Sequence, residues 1–361
     1  MADHTGKGTG ELRSALLAWF DRHQRDLPWR RTRDPYAIWV SEVMLQQTQV
    51  SRVEGYWTRF LHRFPTARAL AEAPLDGVLA AWSGLGYYSR ARNLHRAAKQ
   101  IAAEHGGQLP RTSEQLRALA GFGRYTAGAV ASIAFGEAAP VVDGNVARVL
   151  SRLDAIEGAP GDRAREARLW ERAGELVQGE RPGDFNQALM ELGATVCKPV
   201  APACLLCPWR DACAARAQGR AEELPPPRAR PKKARLDVAA AWCERGGRIL
   251  LARRPGSGLF GGLWELPSVE GGDGEALRAL FEPPPPAGAG KHLGTVRRTL
   301  THRELRIDVY ALPLPARSRL RESDGARWVR RGELDALGVS SATRRALELG
   351  DAAAHERSPG R

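Results

Sequence analysis

The chain has 361 residues, 54 of them Lys or Arg and 41 Asp or Glu, for a formal net charge of +13. That length accommodates two domains with separate cores, and the cationic excess suits a polyanionic partner such as nucleic acid, although a GC-rich genome's preference for arginine would add to it. No run of about eighteen apolar residues occurs, and Met1–Gly10 has neither an apolar h-region nor a cleavage site, so the expectation is a chain that neither spans a membrane nor is exported.

Apolar residues recur at helical spacing over 11–23, 35–63, 75–81, 89–104, 113–120, 124–135, 145–153, 163–177 and 184–193, in segments bounded by proline and glycine. The first part is therefore expected to be all-α. In the second of these segments Glu42 shares a helical face with Ile38, Trp39 and Leu45. An apolar setting raises a carboxyl pKa and keeps a proton on it; the plainer alternative is an exposed glutamate on a slightly mis-phased helix. Leu119 to Ala127 reads as a helix end, a Gly121-Phe122-Gly123 turn and the start of another helix. Glycines there permit positive φ and let the N–H groups of the second helix approach a phosphate, as in a helix-hairpin-helix, although such turns also join helices with no ligand. Asp143 and Gly144 then stand at the entrance of the segment 145–153. A helix N-terminus lowers the pKa of an aspartate and keeps it ionised, while the plainer reading makes Asp143 a cap and nothing more. One carboxyl biased towards protonation and one towards ionisation is the division of labour that cleaves a glycosidic bond through an oxocarbenium-like state.

Cys197, Cys204, Cys207 and Cys213 follow in the spacing C-x6-C-x2-C-x5-C, with Cys243 the one other cysteine of the chain. Four thiolates in so short a loop read as ligands of a 4Fe–4S cluster; a structural zinc is the alternative, but zinc ligands usually arrive as two close pairs and only Cys204 and Cys207 form one. Arg210, Arg216 and Lys198 beside the loop are candidate phosphate contacts, which makes the loop structural and DNA-positioning rather than catalytic. The proline-rich basic stretch 223–236 reads as a stiff linker. Beyond it, β-rich runs at Asp237–Cys243, Arg248–Ala252 and Leu305–Leu312, with helices at 274–281 and near 340–348 and a loop at Pro283–Pro286, predict an α+β second part. Cys243 is expected in a strand, as a small buried residue.

With these motifs in place, the chain resembles, over nearly its full length, the bacterial adenine DNA glycosylases (MutY type) of the helix-hairpin-helix superfamily. The matching segments are Leu27–Arg30, Ser41–Thr48, Gly84–Arg90, Gly121–Ala127, Val142–Val146, Asn186–Gly193 and the cysteine loop. The resemblance implies a multidomain fold: an all-α helix-hairpin-helix glycosylase domain over 11–222, with a six-helix part at about 31–136 and a cluster part from 11–30 and 137–222. The linker 223–236, a Nudix-like α+β domain for 8-oxoguanine recognition at 237–350 and a tail at 351–361 would follow. It further implies one 4Fe–4S cluster per chain and a monomer in the bacterial nucleoid, acting on double-stranded DNA with A:8-oxoguanine or A:G mispairs, with other repair proteins as further partners.

By the same resemblance, Glu42 protonates the extruded adenine and then serves the attacking water. Asp143 stabilises the sugar cation, with Tyr125 and Asn145 hydrogen-bonded around it. Arg25, Trp29, Arg30 and Glu191 match adenine-pocket positions, and Gln47 and Tyr87 match the wedge that opens the stack. Tyr125 stands where related bifunctional enzymes carry a lysine that forms a Schiff base, so base removal without efficient strand cleavage is implied. Gly261–Pro267 fits the Nudix pattern, yet Ser268–Phe281 lacks the acidic helix that would hold magnesium, so nucleotide hydrolysis is not expected. Where the family carries Phe-Ser-His this chain has Leu300-Thr301-His302, which keeps two hydrogen-bonding groups and loses the ring.

Overall fold

A computed structural model describes residues 8–227, 233–321 and 325–356. Helices follow in chain order as α1 (Thr9–His23), α2 (Pro35–Leu45), α3 (Val50–Arg63), α4 (Ala67–Glu72), α5 (Leu75–Ala81) and α6 (Ser89–Glu104). After them come α7 (Ser113–Arg117), α8 (Arg124–Phe135), α9 (Gly144–Leu153), α10 (Arg163–Val177), α11 (Pro182–Thr195) and α12 (Ala214–Ala217). Their starts are chemically marked: the side chains of Asp34, Thr112, Asp143 and Asp162 accept backbone N–H groups that open α2, α7, α9 and α10. Gly136, at φ 75°, closes α8 in the left-handed conformation that glycine adopts without strain.

Two helical expectations are corrected. The segment 35–63 is two helices, interrupted where Gln47 takes φ 54°. No proline or glycine marks that break; its one trace in the sequence is the polar run Gln46-Gln47-Thr48-Gln49, and helical spacing resumes at Val50 and Val53, so periodicity on either side reads straight across. The hairpin's first helix, expected to reach 120, ends at Arg117, and the turn takes the remainder.

Contacts group the described residues into two compact units, the first running to Ala71 and resuming at Arg96, the second taking Glu72–His95 together with the chain beyond the linker. The core of the first unit joins Leu12, Leu16 and Phe20 of α1 to Val146, Val149 and Leu150 of α9, Leu169 and Leu176 of α10 and Phe185 and Leu189 of α11. Polar ties fix its layers. Asn186 donates to Ser132 Oγ and Ala139 O, both at 2.8 Å, and Trp209 Nε1 donates to Leu12 O at 2.8 Å, which binds the cysteine-bearing segment to α1. Gly193 lets α11 approach α9 closely: a Cβ there would lie 2.7 Å from Asn145 Cβ.

The second unit contains β1 (Ala234–Trp242), β2 (Glu244–Arg245), β3 (Arg248–Arg253), β4 (Trp264–Glu265), β5 (Ser268–Glu270) and β6 (Phe281–Glu282). It continues with β7 (Lys291–Thr299), β8 (Arg303–Ala311), β9 (Arg319–Leu320), β10 (Ala326–Arg330) and α13 (Ser341–Glu356). One sheet runs β5-β1-β8-β7, with β1 and β8 parallel and the other pairs antiparallel; a second runs β10-β3-β2, with β4 also on β3. Gly350 brings α13 onto the Trp242 indole, where a Cβ would come within 2.0 Å. The segment 72–95, expected inside the helical domain, clusters with this unit: Val78, Leu79 and Trp82 are buried, and Ser83 Oγ donates to Val339 O at 2.7 Å.

Smaller differences follow the same physics. The helix expected at 274–281 is a 3-10 turn, Ala276–Leu280. Cys243 is fully buried, as expected, but lies just past the end of β1. Strand β1 starts at Ala234, inside the expected linker, and α13 continues through Glu356 into the expected tail. Linker residues 228–232 and tail residues 357–361 lie outside the described residues.

Candidate active site

Helix α2 is buried on every side from Tyr36 to Met44, so the carboxyl of Glu42 is enclosed whatever the helical phase; the residue is 5% exposed. The Tyr125 hydroxyl, from the first turn of α8, donates to Glu42 Oε2 at 2.8 Å, and Met190 Sδ lies 3.2 Å from the same hydroxyl. Burial pushes the Glu42 carboxyl up to about 7, with the negative charge of Asp143 adding to the rise and the Tyr125 hydrogen bond and Arg30 opposing it. Burial, then the neighbouring carboxylates of Glu42 and Asp143, also holds the Tyr125 phenol well above its ordinary range.

Asp143 caps α9, its Oδ1 accepting from Val146 N at 2.7 Å, and Asn145 Nδ2 approaches its Oδ2 at 3.4 Å. The expectation that the helix start lowers its pKa is corrected: burial raises it, and the backbone N–H groups of Val146 and Asn145 with the nearby Arg148 only partly offset that. Desolvation is the larger effect because Asp143 sits inside the site rather than on a solvated helix end.

Arg148, which the sequence reading missed, joins this carboxylate's surroundings to the cysteine-bearing segment. Its guanidinium donates to Asn145 Oδ1 at 3.0 Å, Gly193 O at 2.9 Å and Cys197 O at 2.8 Å. One turn further, Arg152 is 3% exposed and donates to Lys198 O at 2.7 Å, Leu224 O at 2.7 Å, Pro199 O at 3.1 Å and Cys197 Sγ at 3.3 Å. The spacing 145, 148, 152 is one face of a helix, a signal present in the sequence and unused.

Glu191, 1% exposed, is held between two arginines: Arg25 donates to both its oxygens at 2.7 and 2.8 Å and Arg30 to Oε2 at 2.8 Å. Burial alone would raise this carboxyl, but the two guanidinium groups overcome it and hold it below its ordinary range. Trp29 is buried edge-on to Trp57, with ring centroids 6.1 Å apart. A cavity of about 730 Å³ is lined by Glu42, Tyr125, Asp143 and Asn145 together with Arg25, Trp29, Arg30, Gln47, Gly121, Gly123 and Glu191. Eleven of the residues singled out from sequence thus share one opening. Gln46, whose amide donates to Thr126 Oγ1 at 3.1 Å, and Met190 also line it and were not anticipated. Of the two hairpin glycines only Gly121, at φ 79°, needs the glycine conformation; Gly123, at φ −80°, does not.

The remaining residues stand elsewhere. Cys197, Cys204, Cys207 and Cys213 line a separate cavity with Arg152 and Arg210; they surround it rather than meet at one point, and among the described residues no three or more His, Cys, Asp or Glu side chains are grouped to share a single metal ion. In the second unit Tyr87, at φ 46° and exposed, hydrogen-bonds through its hydroxyl to Thr301. Thr301 and His302 are exposed at the tip of the β7–β8 hairpin, while Leu300 is partly buried against the sheet's core.

Residues 40–175 match a family described as HhH-GPD superfamily base excision DNA repair protein, and residues 238–349 match a NUDIX domain. The adenine DNA glycosylase of Homo sapiens is 42% identical over 94% of this chain and 73% of that protein. That of Mycolicibacterium smegmatis is 47% identical over 55% of this chain and 69% of its own length. Among solved structures, a thermostable thymine-DNA glycosylase superposes with a TM-score of 0.53 at 30% identity, covering 59% of this chain and 100% of that one. A trapped endonuclease III–DNA covalent intermediate, at TM-score 0.50 and 24% identity over 59% of this chain and 99% of that one, shares the fold. Among the described residues no helix is long and apolar enough to cross a membrane.

Proposed function

The chain belongs to the adenine DNA glycosylase family, and from that premise we propose that it removes adenine mispaired with 8-oxoguanine or guanine, with Glu42 and Asp143 as its catalytic carboxyls. The observation that carries this is a buried glutamate near pKa 7, hydrogen-bonded by Tyr125, in the same cavity as a capped, partly enclosed aspartate. Departure of adenine leaves electrons on the base and a cation on the sugar. A protonated Glu42 supplies the proton that makes the base a leaving group, and the Asp143 carboxylate faces the developing oxocarbenium charge. Once the base has left, the ionised Glu42 accepts a proton from the attacking water. Tyr125 orients Glu42, Asn145 and the α9 N-terminus orient Asp143, and the Glu191–Arg25–Arg30 assembly with Trp29 forms the wall against which a flipped-out base is held.

The four cysteines fit a 4Fe–4S cluster. They line one cavity, and Arg152, a buried cation with no carboxylate partner among the described residues, donates to Cys197 Sγ there. A buried cation needs a counter-charge, and a thiolate-ligated cluster is anionic. Bound there, the cluster would hold the loop's shape and its basic flank towards DNA. Thr301 and His302 on the β7–β8 hairpin are the candidates for hydrogen bonds to the oxidised guanine of the opposite strand, with Gln47 and Tyr87 as wedge residues.

The test is a gel assay on an A:8-oxoguanine duplex. The account predicts a product that is nicked only after alkali or heat, because a tyrosine at 125 offers no amine for an imine. Strong nicking without such treatment overturns the monofunctional assignment, and an intact glycosidic bond overturns the substrate.

A further inference from the structure

The hairpin that carries Gly121 and Gly123 is followed at once by Arg124, the first residue of α8, and its guanidinium lies 3.9 Å from the ring centroid of Trp170 on α10. This is the shortest cation–ring approach among the described residues, the others falling at 4.8 Å or beyond. Arg124 is exposed, and no carboxylate among the described residues pairs with it; its charged neighbour is a second cation, Arg117, at the end of α7 on the other side of the turn. Two like charges flanking a turn repel, and the unfolded chain would keep them apart. A stacked arginine, however, uses only the face of its planar group, leaving the N–H donors at its edge free for an oxyanion.

We propose that Trp170 is a positioning residue for DNA binding: its indole fixes the Arg124 guanidinium beside the hairpin turn, where with Arg117 it takes a backbone phosphate of the substrate strand. The inference rests on the reading of the hairpin as a DNA contact and adds to it a side chain two helices away. A phosphate brought between Arg117 and Arg124 relieves their repulsion, and the indole spares Arg124 the cost of ordering a long flexible side chain at the moment of binding.

Affinity is measured with the full chain and a duplex carrying 2′-fluoroadenosine opposite 8-oxoguanine, which resists cleavage, across a range of salt. Arg124→Gln should weaken binding about tenfold and lower the slope of log K against log salt by about 0.9, one phosphate contact. Trp170→Leu should reproduce most of both effects although it removes no charge, Trp170→Phe should retain most of the affinity, and the double variant should be no weaker than Arg124→Gln alone. A wild-type salt slope in Trp170→Leu, equal losses in the Leu and Phe variants, or additive losses in the double variant would each overturn the role of Trp170. If Arg124→Gln itself leaves affinity and slope unchanged, Arg124 takes no phosphate and the proposal fails, whereas the reading of the hairpin as a DNA contact, which rests on its backbone N–H groups, fails only if Gly123→Ala also binds like wild type.

Discussion

In the proposed mechanism, function and stability oppose each other at the Glu42 side chain. Its pKa rises from 4.5 to about 7 on folding, so between those values the native state holds a proton that the unfolded chain has released. Stability from this group is therefore complete below about pH 4.5 and lost as pH rises through about 7, a difference of roughly 3 kcal/mol. Glu42→Gln should consequently raise the melting temperature at pH 8 and leave it nearly unchanged at pH 4. Parallel melting profiles for the two proteins across that range would contradict the burial argument. The enclosure of Glu42 was legible from its apolar neighbours. The pKa direction of Asp143 was not, because a sequence shows that an aspartate opens a helix but not how much protein closes over it.

At the scale of elements, the bounds of α5, α6, α8 and α10 were readable because proline, glycine and capping residues coincide with a change of period. The break at Gln47 was not, since its one mark is the polar run Gln46–Gln49, which a solvated helical turn shows equally well, and no glycine or proline announces the left-handed residue. The hairpin shows the same contrast within one motif. Gly121 holds φ 79°, which an alanine adopts only with strain, whereas Gly123 holds φ −80° with open space around the site of a Cβ. Gly121→Ala should therefore destabilise the protein by about 1 kcal/mol, and Gly123→Ala should melt like wild type yet bind DNA more weakly, its methyl group meeting the backbone that approaches the helix N-terminus. Equal melting temperatures for both variants would remove the distinction.

Across the whole molecule, the two halves were legible from a single composition change, but the assignment of 72–95 was not: its helical periodicity is the same whichever core receives Val78, Leu79 and Trp82. The second unit places Thr301 and His302 in the open at a hairpin tip, with Leu300 turned partly into the core. The proposed recognition role then rests on hydrogen bonding. Thr301→Ala with His302→Ala should erode the preference for 8-oxoguanine over guanine opposite adenine by more than it slows adenine release; equal slowing on both substrates would deny the hairpin that role.

The central claim is that a protonated Glu42 and the Asp143 carboxylate act on one extruded adenine nucleotide, and single-turnover adenine release from an A:8-oxoguanine duplex as a function of pH tests it most directly. The wild-type rate should fall as pH rises through about 7, and Glu42→Gln should release adenine at least 10²-fold more slowly below that pH, the gap narrowing above it as wild type loses its proton. A Glu42→Gln enzyme that keeps the wild-type rate and pH profile would contradict the account.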